Sequence, residues 1–122
     1  MLAARFEDAL ALARRLLTLT REHGERGYEA HALRLLGDIP SHRDLPNVGE
    51  AEDYYRQALA LGDELGMRPL VAHCYLGLGK LYRPLGKIQQ AQEHLAAAVT
   101  LFREHGQGFW REKAESEMAA LR

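Results

Sequence analysis

The feature that most constrains the fold of this chain is an internal repeat. The segment REHGERGYEAHALRLLG at residues 21–37 returns 42 residues later as DELGMRPLVAHCYLGLG, at residues 63–79. Its first half returns once more as REHGQGFW, at residues 103–110. A single catalytic pocket needs no such repetition, whereas stacked units need it because each must offer its neighbour a similar packing surface. The repeat therefore predicts a stack of similar units.

The units are predicted to be helical. Apolar residues recur at helical spacing between Gly and Pro residues, and no segment shows the sustained two-residue alternation that is typical of strands. This pattern predicts an all-α fold with six helices, over residues 1–23, 28–39, 48–65, 68–83, 88–105 and 109–121. Asn47 and Glu50 have the spacing of a capping box at the start of the third helix.

Alignment of the copies produces four informative columns. Gly24, Gly66 and Gly106 fall in register, and each is suited to the left-handed residue that ends a helix. Four residues later, an apolar column is expected to cover these turns: Tyr28, Leu70 and Trp110. Small residues recur on the second helix of each unit, where close contact between helices requires them: Ala9, Ala51 and Ala91, and further along Ala58 and Ala98.

This spacing resembles the tetratricopeptide repeat family. The second unit carries the pattern as Tyr75, Leu78–Gly79, Tyr82, Ala91, Leu95 and Ala98. The first carries it as Leu33, Leu36–Gly37, Pro40, Ala51, Tyr55 and Ala58. The resemblance implies an α-solenoid, in which about six antiparallel helices form a right-handed superhelix. It further implies one domain over residues 1–122: an orphan second helix (1–23), two repeats (28–65 and 68–105) and a terminal helix (109–121).

The repeats depart from the family pattern in length. They span 40–42 residues rather than 34, and Pro40 replaces an aromatic residue. The longer units resemble those at the C-terminal ends of bacterial signalling proteins, beside cyclase-like or ATPase modules, and those of transcriptional regulators. The resemblance implies a non-enzymatic interaction scaffold without a cofactor.

In this family the first helix of each unit lines a concave groove that binds a peptide or helix. Position by position, the resemblance implies these groove residues: His31, Arg34, Asp38, His73, Leu76, Lys80, Arg83, Lys113 and Ser116. Four cations against one carboxylate make this face basic, which suits an acidic peptide or a C-terminal carboxylate. The alternative is that these are ordinary solvated surface charges.

A competing hypothesis is self-association. The first helix has apolar residues on more than one face, which predicts a further contact. We expect Phe6, Leu10 and Leu17 to form a face that makes a homodimer, or that docks the chain on a cyclase- or ATPase-like signalling domain.

Composition disfavours several other classes of function. The net charge of −1 provides no concentrated basic face for nucleic acid. The longest mostly apolar run, residues 95–102, is too short to span a bilayer. Acidic residues interrupt the N-terminal apolar segment, so no secretory signal is expected. The single cysteine fits a reducing compartment, and we expect a cytoplasmic protein.

Catalytic and metal sites are not indicated. No two of the six histidines lie three to five residues apart, so none forms a local ligand pair. His31 and His73 are expected about one repeat apart, too far to share an ion. Cys74 is expected to be a small core residue, and Tyr55 and Trp110 are expected in the core.

Overall fold

The computed structural model describes residues 2–41 and 48–121. Across these residues it contains helices and no strand, which confirms the all-α prediction. The elements are α1 (Leu2–Glu22), α2 (Arg26–Ser41), α3 (Val48–Leu65), α4 (Arg68–Tyr82), α5 (Ile88–Glu104) and α6 (Gly108–Ala119). Each agrees closely with its predicted range. Asn47, and with it the predicted capping box, lies outside the described residues.

Glycines in the left-handed conformation end three helices, as the aligned glycine column predicted. Gly24, Gly66 and Gly106 have φ of 68°, 70° and 67°, a region that side chains disfavour. Beyond two of these turns, backbone bonds of 2.8 Å reach back to the preceding helix: from Glu25 N–H to the Thr20 carbonyl, and from Gln107 N–H to the Phe102 carbonyl. These bonds satisfy carbonyls that a helix end otherwise leaves free.

The chain divides into two compact units, which are described separately. The N-terminal unit ends at Leu65 and contains α1, α2 and α3, with α2 packed against both other helices. The C-terminal unit begins at Gly66 and contains α4, α5 and α6, with α5 packed against both others and α4 also touching α6. We call α2, α4 and α6 first helices, and α1, α3 and α5 second helices.

In the α2–α3 pair and in the α4–α5 pair, a glycine of the first helix packs directly against a large residue of the second. A Cβ on Gly37 of α2 would lie 2.8 Å from the Tyr55 ring of α3. At the aligned position in the other unit, a Cβ on Gly79 of α4 would lie 2.5 Å from Leu95 Cγ of α5. The helices therefore approach more closely than any residue with a side chain would allow.

Small and large residues alternate along both contacts. The aligned alanines of α3 and α5 are completely buried, as are the leucines that precede the two glycines: Leu36, Ala51, Ala58, Leu78, Ala91 and Ala98. Tyr55 and Leu95 are buried with them, which confirms the prediction that Tyr55 is a core residue. Cys74 is likewise a buried residue of α4, as expected.

Helix α1 corrects one sequence-based prediction. Leu10 and Leu17 are only 4% and 8% exposed, so they belong to the core of the N-terminal unit and cannot form an outward face. The placement of Phe6's side chain lies outside what the structure describes. Among the described side chains of α1, the large apolar residues that face outward are Leu12, Leu16 and Leu19, of which Leu12 is 69% exposed.

Candidate functional site

A cleft of about 290 Å³ lies between the two first helices of the C-terminal unit. Helix α4 contributes Leu76 and Lys80 to its walls, and α6 contributes Phe109, Trp110, Lys113 and Glu117. A wider hollow of about 510 Å³ adjoins it, sharing Lys80 and Glu117 and adding Arg83 and Pro84. We call the two together the α4/α6 cleft. It exists because α4 and α6 pack on the same second helix, α5, and meet each other only briefly.

The base of the α4/α6 cleft is apolar. Leu76 is buried beneath it. The Trp110 ring is held edge-on by His73, with ring centres 4.6 Å apart, and by Phe109, with centres 5.2 Å apart. His73 is itself edge-on to the buried Phe102, 5.0 Å away. This chain of rings fixes Trp110 to the core while leaving part of its surface open.

Two aromatic rings remain accessible there, and the sequence did not indicate this. Phe109 is 64% exposed and Trp110 is 38% exposed. The prediction that Trp110 is a core residue is therefore corrected: it lies at the edge of the core and lines the cleft. Its column partner Leu70 is buried as expected, whereas Tyr28 is exposed.

The rim of the α4/α6 cleft is basic. Lys80 on α4 and Lys113 on α6 are exposed, and neither forms an ion pair with any residue that the structure describes. The Lys113 ammonium lies 5.7 Å from the centre of the Phe109 ring. Arg83 binds Glu117 at 3.1 Å, which neutralises the one carboxylate of the cleft. The unbalanced charge is thus that of the two lysines.

Two of the predicted groove residues of the N-terminal unit, Arg34 and Asp38, have local partners. Tyr55 donates its hydroxyl to Asp38 Oδ1, and Arg34 Nη1 lies 4.0 Å from Asp38 Oδ2. Arg34 Nε is buried without a hydrogen-bond partner among the described residues. Partial desolvation of the His31 imidazole lowers its pKa, and the charge of Arg34 lowers it further. Asp38 therefore connects α2 to α3 as well as facing outward.

Of the nine predicted groove residues, the structure brings four together. Leu76, Lys80, Arg83 and Lys113 line the α4/α6 cleft. His73 lies behind Trp110, and Ser116 is exposed on α6 without lining the cleft. The other three belong to the N-terminal unit. Sequence reasoning missed Phe109, Trp110 and Glu117, and the signal for them was the three-to-four-residue spacing from Lys113, which places all four on one side of α6.

Neither a metal site nor a membrane span is found in the described parts of the chain. Between residues 2–41 and 48–121, no group of three or more His, Cys, Asp or Glu is arranged to hold a metal ion. Among the helices that these residues form, none is both long and apolar enough to cross a membrane.

Comparison with known proteins agrees with a fold built from repeated helix pairs. A model of the tetratricopeptide repeat family matches residues 41–104, which include α3, α4 and α5. The chain is also similar to the 43 kDa receptor-associated protein of the synapse from Tetronarce californica, with 31% identity over 102 residues. That alignment spans 78% of this chain but only 24% of the relative. The family is generally a non-enzymatic module that mediates contacts between proteins. With its glycine-closed helix pairs and this match, the chain belongs to the tetratricopeptide repeat family.

Proposed function

We propose that this protein binds an acidic peptide segment of a partner protein in the α4/α6 cleft. The observation that carries the proposal is the pair of unpaired lysines, Lys80 and Lys113, on the two helices that border an open apolar base. Membership of an interaction-module family makes a protein partner the natural ligand.

Charge decides which peptides fit. Each lysine is solvated in the free protein, and a carboxylate placed between α4 and α6 approaches both. Glu117 does not oppose this, because Arg83 already neutralises it. Salt screens such exposed charges over about 10 Å at 0.1 M ionic strength, so we expect binding to weaken as salt increases.

A peptide display experiment tests the proposal. A random peptide library with free C-termini is selected on the wild type and on Lys80→Glu/Lys113→Glu. The matched control is Arg15→Glu/Arg103→Glu, which reverses two exposed cations outside the cleft. We expect the wild type and the control to enrich acidic peptides and the cleft variant to lose them. Equal enrichment by all three folded proteins, or none by any, would overturn the proposal.

A second candidate function, self-association, is favoured by one observation on α1. Leu16 and Leu19 are exposed, although the residues aligned with them on α3 and α5 are buried: Ala58, Leu61, Ala98 and Leu101. Within residues 2–41 and 48–121, nothing therefore covers α1 at these positions as α3 and α5 are covered. A second copy of the chain, packing its own α1 against this stripe, would provide it.

Mass measurement over a concentration series tests this second candidate. Leu16→Glu/Leu19→Glu places two charges on the stripe, and Leu85→Glu/Ile88→Glu places two at other exposed apolar positions. Self-association predicts a dimer that the first variant abolishes and the second retains. A wild type that stays monomeric up to about 100 µM, where the affinity amounts to roughly 5 kcal/mol or less, would reject it.

A further inference from the structure

We propose that the α4/α6 cleft recognises a defined pattern: one large apolar side chain of the partner, flanked on both sides by carboxylates. This inference rests on the proposed function and specifies its ligand. The charged rim selects acidic peptides, and the base of the cleft selects the residue between the acids.

The volume of the cleft limits what enters it. Small-molecule pockets usually enclose about 300 to 1,000 Å³, and the inner part of this cleft, at about 290 Å³, falls just short of that range. The inner part of the cleft has room for one large side chain. The adjoining hollow beside Arg83 and Pro84 is open enough for the peptide backbone to continue.

The base of the cleft matches an aromatic or large aliphatic residue. Phe109 is largely exposed, and Trp110 presents the part of its ring that His73 and the core leave uncovered. Leu76 lies beneath them. An inserted phenyl ring gains edge-to-face contact with both rings and removes exposed apolar surface on both sides. Tryptophan in a partly desolvated pocket is also where interfaces concentrate their binding energy.

The two lysines lie on opposite sides of this base. Lys80 extends from α4 and Lys113 from α6, and Lys113 lies close to the Phe109 ring. A residue anchored between the helices therefore has a cation on each side. Carboxylates next to the anchor neutralise both cations, whereas a basic peptide meets like charge on each side.

The aligned positions of the first repeat do not offer this combination. Arg34 stands where α4 has Leu76, and Asp38 stands where α4 has Lys80. Asp38 accepts the Tyr55 hydroxyl, so it is engaged in the helix pair. Recognition of a large apolar residue between two carboxylates is therefore assigned to the α4/α6 cleft.

The single tryptophan makes this inference directly measurable, because Trp110 lies in the cleft. Three nine-residue peptides with identical Gly-Ser ends are titrated: one with Phe between two pairs of Asp, one with Ala in place of Phe, and one with Asn in place of every Asp. Binding is followed by Trp110 fluorescence and, in parallel, by the anisotropy of a peptide label. We expect the first peptide to bind at least about ten-fold more tightly than either of the others at low salt.

A substitution at the base of the cleft separates the contribution of the apolar side chain to binding from the contribution of the carboxylates. Phe109→Ala should bind the Phe and Ala peptides with similar affinity while still preferring Asp to Asn, and Tyr28→Ala, at another exposed aromatic, should behave as the wild type. Circular dichroism verifies that both variants are folded.

The outcomes distinguish this inference from the proposed function. If the Asp peptides with Phe and with Ala bind the wild type equally, the anchor is overturned while acidic-peptide binding stands. If Phe peptides bind with or without Asp, the flanking-acid requirement is overturned. If no peptide changes either signal at millimolar concentration, both the inference and the proposed function fail.

Discussion

Two glycines determine how closely the helices of each pair approach. Gly37 faces the Tyr55 ring and Gly79 faces Leu95, with no room at either position for an added Cβ. Because Tyr55 and Leu95 are themselves buried, they cannot move away from a larger residue. The two contacts are equivalent in the repeat, so the same substitution should have the same effect in both units.

We expect Gly79→Ala to destabilise the protein by about 1–2 kcal/mol. Overpacking of a core costs about 1–3 kcal/mol, and the better helix propensity of Ala recovers up to about 1 kcal/mol. Urea denaturation measures the difference. Gly27→Ala is the matched control, since a Cβ there meets nothing within 4 Å. Equal stability of the two variants would show that the helices separate freely.

The Tyr55 hydroxyl forms a hydrogen bond whose loss should be visible in stability. It donates to the partly exposed Asp38, and hydrogen bonds to charged groups contribute about 1.5–3 kcal/mol. Because Arg34 remains beside Asp38, we expect Tyr55→Phe to cost about 1–2 kcal/mol in chemical denaturation. Tyr75→Phe is the control, because the Tyr75 hydroxyl has no hydrogen bond within the described residues. An equal cost in the two variants would contradict a specific role for Asp38.

His31 should make stability depend on pH. Its pKa in the folded protein is lowered from the ordinary value of 6.5, first by desolvation and then by Arg34. The unfolded chain therefore binds a proton more readily, so this contribution to stability is complete above about pH 6.5 and is lost as the pH falls below it.

We expect the stability lost between pH 7.5 and 5.5 to be smaller in His31→Gln than in the wild type, by a modest amount because the side chain is exposed. Thermal unfolding at the two pH values measures it. His105→Gln, at another exposed histidine, controls for the loss of any imidazole. A wild-type slope retained in His31→Gln would reject this assignment.

For individual residues, the sequence predicted the core well and the surface poorly. Ala51, Ala58 and Tyr55 were recognisable because their spacing recurs in the next repeat, and close contact constrains both copies alike. Trp110 was misjudged because it belongs to α6, which among the described elements packs on α5 and meets α4 only briefly, so part of its ring stays exposed. A repeated spacing predicts the packing that the units share. It says little about a residue whose surroundings differ from one unit to the next.

Among the elements, α4 and α6 are connected by one ion pair that also controls the charge of the cleft. Arg83 and Glu117 lie 3.1 Å apart at the same ends of their helices. Exposed pairs of this kind contribute little to stability, on the order of 0–1 kcal/mol. This ion pair is expected to have a larger effect on the binding of charged ligands. Glu117 pairs with the Arg83 guanidinium, which would otherwise be available to bind a carboxylate of the ligand.

If acidic peptides bind in the cleft, Glu117→Gln should increase their affinity about two- to five-fold at low salt, because it releases Arg83. Glu112→Gln removes the same charge from α6 outside the cleft and should change affinity less. Fluorescence titration compares the two. Weaker binding in Glu117→Gln would mean that the ion pair maintains the geometry of the cleft.

Helix α1 shows why face assignment from sequence is uncertain for a flanking element. Its leucines occur on more than one side, and apolarity alone does not tell which side meets α2. The alignment contained the answer, because Leu16 and Leu19 match positions that are buried in α3 and α5. In α1 the same positions are exposed, so its outward stripe lies where α3 and α5 are covered.

At the scale of the whole molecule, the sequence predicted a single domain over residues 1–122, and this stays a prediction. Stacked repeats gain stability from their neighbours and unfold together when the contacts between them are strong. The helices followed from periodicity, and the family followed from the resemblance of the repeated motif to a known one. The right-handed superhelix was implied by resemblance alone and also remains a prediction.

We expect Leu36→Ala, in the N-terminal unit, to shift the unfolding of the entire chain. Removing this buried side chain should cost about 2–5 kcal/mol. Trp110 fluorescence reports on the C-terminal unit, and far-ultraviolet circular dichroism reports on all helices. A single domain requires both transitions to move to lower urea together. An unchanged fluorescence midpoint would mean that the two units unfold independently.

The hydrogen bond between Tyr55 and Asp38 has a consequence for building longer arrays from this chain. The aligned residues in the second repeat are Leu95 and Lys80, so the repeats differ by a linked exchange and not by two separate ones. An averaged consensus that combined tyrosine with lysine would bury a phenol without its acceptor. A designer who duplicates either repeat must therefore transfer the two residues as a unit, together with the glycine against which the larger one packs.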